Sequence, residues 1–252
     1  MSIAPATDIP VLAEATARLL ATVDGLKDDR LAEPSLLPGW SRGHVLAHLA
    51  RNADALVNLL TGARTCVPTP MYASPEAREH GIAAGATRPV AEQAADLRAS
   101  AARFDAAVAA MPEAAWAVEV PHRLGSFPAH EVVARRIGEV EYHHVDLGLP
   151  DAYASADWPR PFVDAELAKL VTRLDGHPDV PDLVLVPSDR EGRWETGAAR
   201  RSDGPDLTVG GSAARLLAWL SGRSDGGDLE VTAFGLHRDA PATVLPKLPP
   251  LG

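Results

Sequence analysis

Between positions 90 and 111, apolar residues recur at alternating spacings of four and three: Val90, Ala94, Leu97, Ala101, Phe104, Val108 and Met111. Helical geometry puts residues so spaced on one side, so the stretch predicts a long helix with a single apolar seam. Such a seam must be buried against neighbours, and three other segments carry matching stripes. Apolar residues at 12, 15, 19, 23 and 26 mark one face of a helix over 11–26. Ser41 is placed to cap a second helix through HVLAHLARNADALVNLL, after the turn signal Pro38-Gly39-Trp40. A fourth helix is expected to begin near Pro128, where proline suits a first turn, and to end around Leu147-Gly148. Four helices with connected apolar faces predict an antiparallel four-helix bundle in residues 1–150.

The pattern changes after Leu149-Pro150. An amphipathic stretch runs from about Phe162 to Leu174, followed by short β-like runs: DLVLVP from Asp182, DLTVGG from Asp206 and DLEVTAF from Asp228. They flank a helical segment, SAARLLAWLSG, from Ser212. Strands mixed with helices predict a smaller α/β domain over 151–252, and an α+β chain overall. The tail PKLPPLG is expected to be irregular, because its prolines continue neither helix nor sheet. No internal repeat is seen. Between the second and third helices, from about Thr61 to Arg88, lies a long connection holding Pro68, Pro70 and Pro75. Connections of that length are often functional, and this one is expected to fold over one end of the bundle.

Charge narrows the function classes. The net charge is −10 with no run of Lys or Arg, which argues against nucleic acid or an anionic membrane as the main partner. No apolar run approaches the roughly 18 residues of a membrane span, and the first residues lack the pattern of a secretion signal, so a cytoplasmic protein is expected. The single cysteine, Cys66, excludes an internal disulfide and any multi-cysteine metal site. It is expected to be inert, so thiol chemistry here would use a thiol from elsewhere.

The histidines carry the chemical information. His44 and His48 lie four apart on the second helix, with His48 at the edge of the apolar stripe and His44 further toward solvent. The fourth helix holds RRIGEVEYHHVDLG. Glu139 and His143, four apart, can present a carboxylate and an imidazole to one metal; Glu141 and His144, three apart, can do so too. Both pairs flank the apolar stripe, and their spacing does not choose between them. A di-metal site would need inward glutamates on the second helix, which has none, so one metal with two histidines and a carboxylate fits better. That set suits zinc with open coordination positions, and also iron(II). Against this stands the plain reading of His and Glu as surface residues or i,i+4 polar pairs. Asp146 is equally placed to orient a ligand or to be an ordinary helix-end carboxylate.

Four stretches together resemble the mycothiol-dependent maleylpyruvate isomerases, whose helical half belongs to the DinB-like metal-binding superfamily. They are SLLPGWSRGHVLAHLARNADAL, TPMYASPEAR, GEVEYHHVDLG and GSAARLLAWLSGRSDG, and they span nearly the whole chain. TPMYASPEAR resembles this subgroup in particular. The resemblance implies a DinB-like four-helix bundle and zinc ligands at His48, Glu139 and His143. It also implies a functional arginine at Arg223, for which the alternative is a helix C-terminal cation facing the dipole. The implied activity is the mycothiol-dependent conversion of 3-maleylpyruvate to 3-fumarylpyruvate in gentisate degradation, by a monomer. Two alternatives are a zinc-dependent mycothiol S-transferase and a non-catalytic thiol-sensing or regulatory module. This chain departs from its relatives in its choice of Glu141, Tyr142 and His144.

Overall fold

A computed structural model of the chain describes residues 4–123, 125–197, 206–233 and 245–249. Its contacts divide the chain into two units, Met1–Tyr153 and Ala154–Gly252. No helix among the described residues is long and apolar enough to cross a membrane.

The first unit is built on helices α1 (Asp8–Asp24), α3 (Arg42–Thr65), α5 (Val90–Ala109) and α6 (Glu131–Asp146), with a single turn, α2 (Asp28–Leu31), after α1. Helix α3 packs on α5 and α6, and α1 packs on the same two, which closes the four into a bundle. The predicted seam of α5 is buried at Ala94, Leu97, Phe104 and Val108. Leu12, Ala15, Leu19 and Val23 of α1 are buried as the stripe requires.

Not every neighbour in the bundle is antiparallel. Arg42 and Asn52 of α3 meet Leu147 and Arg136 respectively, and Asp24 and Asp28 meet Arg98 and Val90, so α3/α6 and α1/α5 run oppositely. By contrast Arg51 and Asp54 meet Asp96 and Arg103, so α3 and α5 run the same way. A parallel pair needs a return crossing, and the chain from 66 to 89 supplies it. That connection is not structureless: it contains helix α4 (Pro75–Ala86), capped by Ser74, which accepts a hydrogen bond from the Ala77 amide at 3.1 Å.

Helix α4 lies against α3 through glycines. A β-carbon at Gly43 would come 2.1 Å from the Ala86 carbonyl oxygen, and one at Gly85 would come 2.8 Å from the Ala47 β-carbon. The start of α6 differs from expectation as well. Pro128 ends strand β2 (Gly125–Pro128), which pairs antiparallel with β1 (Glu119–His122), and α6 begins three residues later. The hairpin forms because Val120 and Phe127, a cross-strand pair, are both buried.

In the second unit, α7 (Arg160–Leu174) and α8 (Ala213–Leu220) accompany β3 (Leu183–Pro187), β4 (Trp194–Thr196), β5 (Leu207–Gly211) and β6 (Glu230–Ala233). The sheet order is β4-β3-β5-β6; β3 and β5 are parallel and the other pairs antiparallel. The three anticipated β runs form β3, β5 and β6, with Phe234 outside the described residues. The short strand β4 has no clear alternation and is not anticipated. Residues 245–249 of the tail carry neither helix nor strand.

Candidate metal centre

The site is fixed where the start of α3 meets the end of α6. Leu37-Pro38-Gly39-Trp40 forms a tight turn, closed by the Trp40 amide on the Leu37 carbonyl at 3.1 Å, with Gly39 at φ +78°. Proline followed by a glycine of positive φ is the requirement of a type II turn. Ser41 then caps α3, its hydroxyl accepting from the His44 amide while the His44 ring Nδ1 accepts from the Ser41 amide at 3.3 Å. His44 is thus a capping residue, which explains why it stands apart from the centre. Buried Arg42 donates to the Leu147 and Gly148 carbonyls at 2.7 and 3.2 Å, and also pairs with Glu33. The Leu36 amide donates to the Asp146 carbonyl at 2.8 Å. These bonds satisfy the open carbonyls at the end of α6 and set its register against α3.

With that register, His48, Glu139 and His143 face one another. His48 Nε2 lies 3.0 Å from Glu139 Oε2 and 3.1 Å from His143 Nε2, and His143 Nε2 lies 3.4 Å from Glu139 Oε2. Among the described residues this is the one group of three or more His, Cys, Asp or Glu with ligand atoms converging in this way. The competing pair faces another helix: Glu141 accepts from Arg18 of α1 at 2.7 Å and from the Tyr153 hydroxyl, and His144 Nε2 lies 2.8 Å from Thr22 Oγ1. His144 also stacks on Tyr153, with centroids 3.8 Å apart. Helix α6 therefore uses one face to approach α3 and another to approach α1.

Each candidate ligand is aimed by a different device. Asp146, one turn beyond His143 and buried, sits 2.8 Å from His143 Nδ1, which fixes that ring's proton on Nδ1 and leaves an Nε2 lone pair facing the centre. His48 is oriented by packing, its ring 5.4 Å from that of Trp40, and its own Nδ1 has no hydrogen-bond partner among the described residues. Burial would raise Glu139, but hydrogen bonds to His143 and His48, with their charge, hold it well below the usual carboxylate range. Burial pushes His48 down, while for His143 the pull of Asp146 and Glu139 outweighs burial and raises it.

The donor set can be tested against a metal. Two imidazole nitrogens 3.1 Å apart can share at most one proton, and a carboxylate oxygen completes the triangle. A tetrahedral ion with bonds of about 2.0–2.1 Å spans ligand pairs about 3.3 Å apart. The three observed edges match that spacing, so the residues present fit a divalent ion. The Glu139 side chain remains one-third exposed although protein surrounds it, so solvent reaches the centre from one side.

Several residues around this centre are given no role by sequence reasoning. They are Asn52 and Arg136, one turn along α3 and α6 from the ligands, with Arg136 donating to Asn52 Oδ1 at 2.8 Å, and Tyr72 and Arg78 from TPMYASPEAR. TPMYASPEAR stands out in the sequence only for its resemblance to the subgroup, with no role for Tyr72 or Arg78. Arg223 belongs to the second unit, just beyond α8. Its amide reaches back to the Ala218 carbonyl at 2.7 Å, the Gly222 amide reaches Trp219, and Gly222 has φ +74°. That is a Schellman ending, and the Arg223 side chain donates to the Ser221 carbonyl at 2.8 Å.

Comparison with known proteins agrees with the resemblance seen in the sequence. The family model for the mycothiol maleylpyruvate isomerase N-terminal domain matches residues 12–148, and the MDMPI C-terminal domain model matches residues 157–242. A crystal structure of the mycothiol-dependent maleylpyruvate isomerase is 30% identical, with a TM-score of 0.81 over 92% of this chain and 95% of that chain. A histidine-to-alanine mutant of that isomerase, also solved by crystallography, gives the same values. No curated protein sequence matches significantly.

Proposed function

The chain belongs to the mycothiol-dependent maleylpyruvate isomerase family, and from that premise we propose that it converts 3-maleylpyruvate to 3-fumarylpyruvate with mycothiol, at a centre formed by His48, Glu139 and His143. The observation that carries this reading is the convergence of two imidazoles and a carboxylate on one solvent-reached point. In this reading the enzyme works as a cytoplasmic monomer in gentisate degradation and has neither nucleic acid nor membrane as a partner.

The chemistry explains the need for a thiol. A carbon–carbon double bond does not rotate thermally, so it must become single for a moment. The mycothiol thiolate adds to the alkene carbon β to the ketone, forming a C–S bond there and moving the π electrons through the α carbon onto the ketone oxygen as an enolate. Rotation about the new single bond follows. Collapse of the enolate re-forms the double bond in the trans geometry and expels the thiolate, so the thiol is not consumed.

The thiolate is the reactive form. A divalent ion, with zinc the expected species, would supply the Lewis acidity that favours thiolate at neutral pH. The protein's own residues do the positioning. His48, Glu139 and His143 hold the three fixed ligand positions, and Asp146 keeps the His143 lone pair aimed inward. Water has access from the side on which Glu139 is exposed, so reactants reach the centre there. Arg223 is assigned the growing enolate charge or a substrate carboxylate, each of which a guanidinium stabilises.

The test is the absorbance change of 3-maleylpyruvate with zinc-loaded protein, with and without mycothiol. Fumarylpyruvate should form only when mycothiol is present, and Arg223→Ala should lower turnover at least tenfold. Accumulation of a stable thioether, with no isomer released, would replace the isomerase reading with an S-transferase. Near-normal turnover in Arg223→Ala would remove that residue from the mechanism.

A further inference from the structure

Beside the metal-ligand triangle the first unit gathers positive charge that its own carboxylates do not absorb. Arg136 is buried, with 3% of its surface exposed, yet among the described residues its side chain makes one hydrogen bond, to the neutral oxygen of Asn52. Among the described residues it forms no ion pair. A buried cation without a counter-ion is costly, and a protein that keeps one commonly has an anion to place against it. Burial pushes Arg136 down to about 10, which leaves it charged at neutral pH. Glu139 and Tyr72 are the groups that act on it most strongly; Asp54 and Asp105 act more weakly, and Asp54 is already paired with Arg51 and Arg103.

A second guanidinium arrives from the crossing helix. Arg78 of α4 lies 5.9 Å from the ring centre of Trp40 and 5.9 Å from that of Tyr72, and its charge reaches His48. Among the described residues its one ion pair is with the exposed neighbour Glu79. Tyr72 lies beside Arg78, and its phenol, raised by burial, also feels the charges of Glu139 and Arg136. Trp40 in turn packs on His48. Asn52 and Arg136, bonded to each other, sit one turn from His48 and Glu139 on α3 and α6.

We infer that Arg78 and Arg136, with Tyr72 and Asn52, form a carboxylate-binding corner beside the metal centre that takes one carboxylate of the dicarboxylate substrate. This rests on the isomerase reading for the identity of the anion. A guanidinium fork matches a carboxylate in geometry and charge, and the Arg78 guanidinium is held near the Trp40 and Tyr72 rings, with Trp40 packed on His48. Placed there, the substrate's carboxylate would fix the orientation of its double bond relative to the sulfur. The corner would also select for acids over neutral enones.

The experiment uses the zinc-loaded full-length protein and maleate, an unreactive dicarboxylate of the same cis shape, titrated by calorimetry. Arg78→Met, at a part-exposed position, should weaken maleate binding at least tenfold while one zinc per chain is retained. In the isomerase assay the same variant should raise KM for 3-maleylpyruvate more than it lowers kcat. Arg78→Lys, which keeps the charge and loses the fork, should fall between the two. Arg136→Met is expected to act alike; where it does not fold, Arg78→Met decides. Unchanged maleate affinity in folded, zinc-loaded Arg78→Met would overturn the corner, as would failure of the wild type to bind maleate. Loss of the isomerase reading is separable: maleate binding that depends on Arg78, in a protein that does not isomerise, keeps the corner and refutes the reaction.

Discussion

His143 is aimed by a hydrogen bond and His48 by packing, and the difference can be measured. The Asp146 carboxylate accepts from His143 Nδ1 at 2.8 Å inside the protein, which makes the opposite nitrogen a better donor to a metal and holds the ring against rotation. Asp146→Asn keeps a group of the same shape but removes the charge. It should weaken metal binding by about 10–100-fold, as loss of a ligand-orienting carboxylate does in comparable sites. Competition with a coloured chelator reads this directly, and unchanged affinity would mean that Asp146 is only a helix-end carboxylate. The sequence placed Asp146 three residues after His143 but gave no way to rank those two roles. Spacing reports which residues share a face, and the hydrogen bond depends on a side-chain rotamer that spacing does not carry. The choice between Glu139/His143 and Glu141/His144 was open for the same kind of reason. Both pairs are correctly spaced, and only the positions of α1 and α3 around α6 assign one to each neighbour.

Helix α4 is the element least visible in the sequence and the one that completes the site. Its buried residues, Ile82, Gly85 and Ala86, form too narrow a stripe to stand out, although Ser74-Pro75-Glu76 is a sound helix start. What holds it is close approach, and Gly43 is the point of contact. In an exposed helix interior, replacing glycine with alanine stabilises by about 1 kcal/mol. At Gly43 the new methyl would meet the Ala86 carbonyl oxygen at 2.1 Å, so the helices must part. Gly43→Ala should therefore destabilise by about 1–3 kcal/mol, the usual cost of overpacking. Urea unfolding with an unchanged slope would report it, and a rise in stability would show that α4 does not press on α3. The other elements follow legibility in the same physical sense. Strong periodicity located α1, α3 and α5, and Ser41 caps α3 as predicted, while Ser212, expected as the start of a helix, caps α8. The β1–β2 hairpin escaped because its two strands are four residues each, too short for alternation to register, and it displaced the expected start of α6 from Pro128.

At the scale of the whole chain, an acidic protein of net charge −10 keeps a locally cationic patch beside its candidate centre. Bulk charge argues about partners such as nucleic acid and says little about a pocket, because folding sets Arg78 near Trp40, which packs on His48, and Arg136 one turn before Glu139. The α+β class and the order of most elements were readable because burial imposes periods of 3.6 and 2 on the sequence. The parallel course of α3 and α5 was not, since direction depends on how the connection returns rather than on any stripe.

The proposed function requires that His48, Glu139 and His143 hold a divalent ion that takes up the thiol. Cobalt(II) makes this visible, because its absorption reports both coordination geometry and sulfur ligation. The full-length protein should bind one cobalt per chain with a tetrahedral-type spectrum, and mycothiol should add a sulfur-to-cobalt charge-transfer band; His48→Ala should show neither. Absence of stoichiometric cobalt, or a bound-cobalt spectrum that mycothiol leaves unchanged, would contradict it.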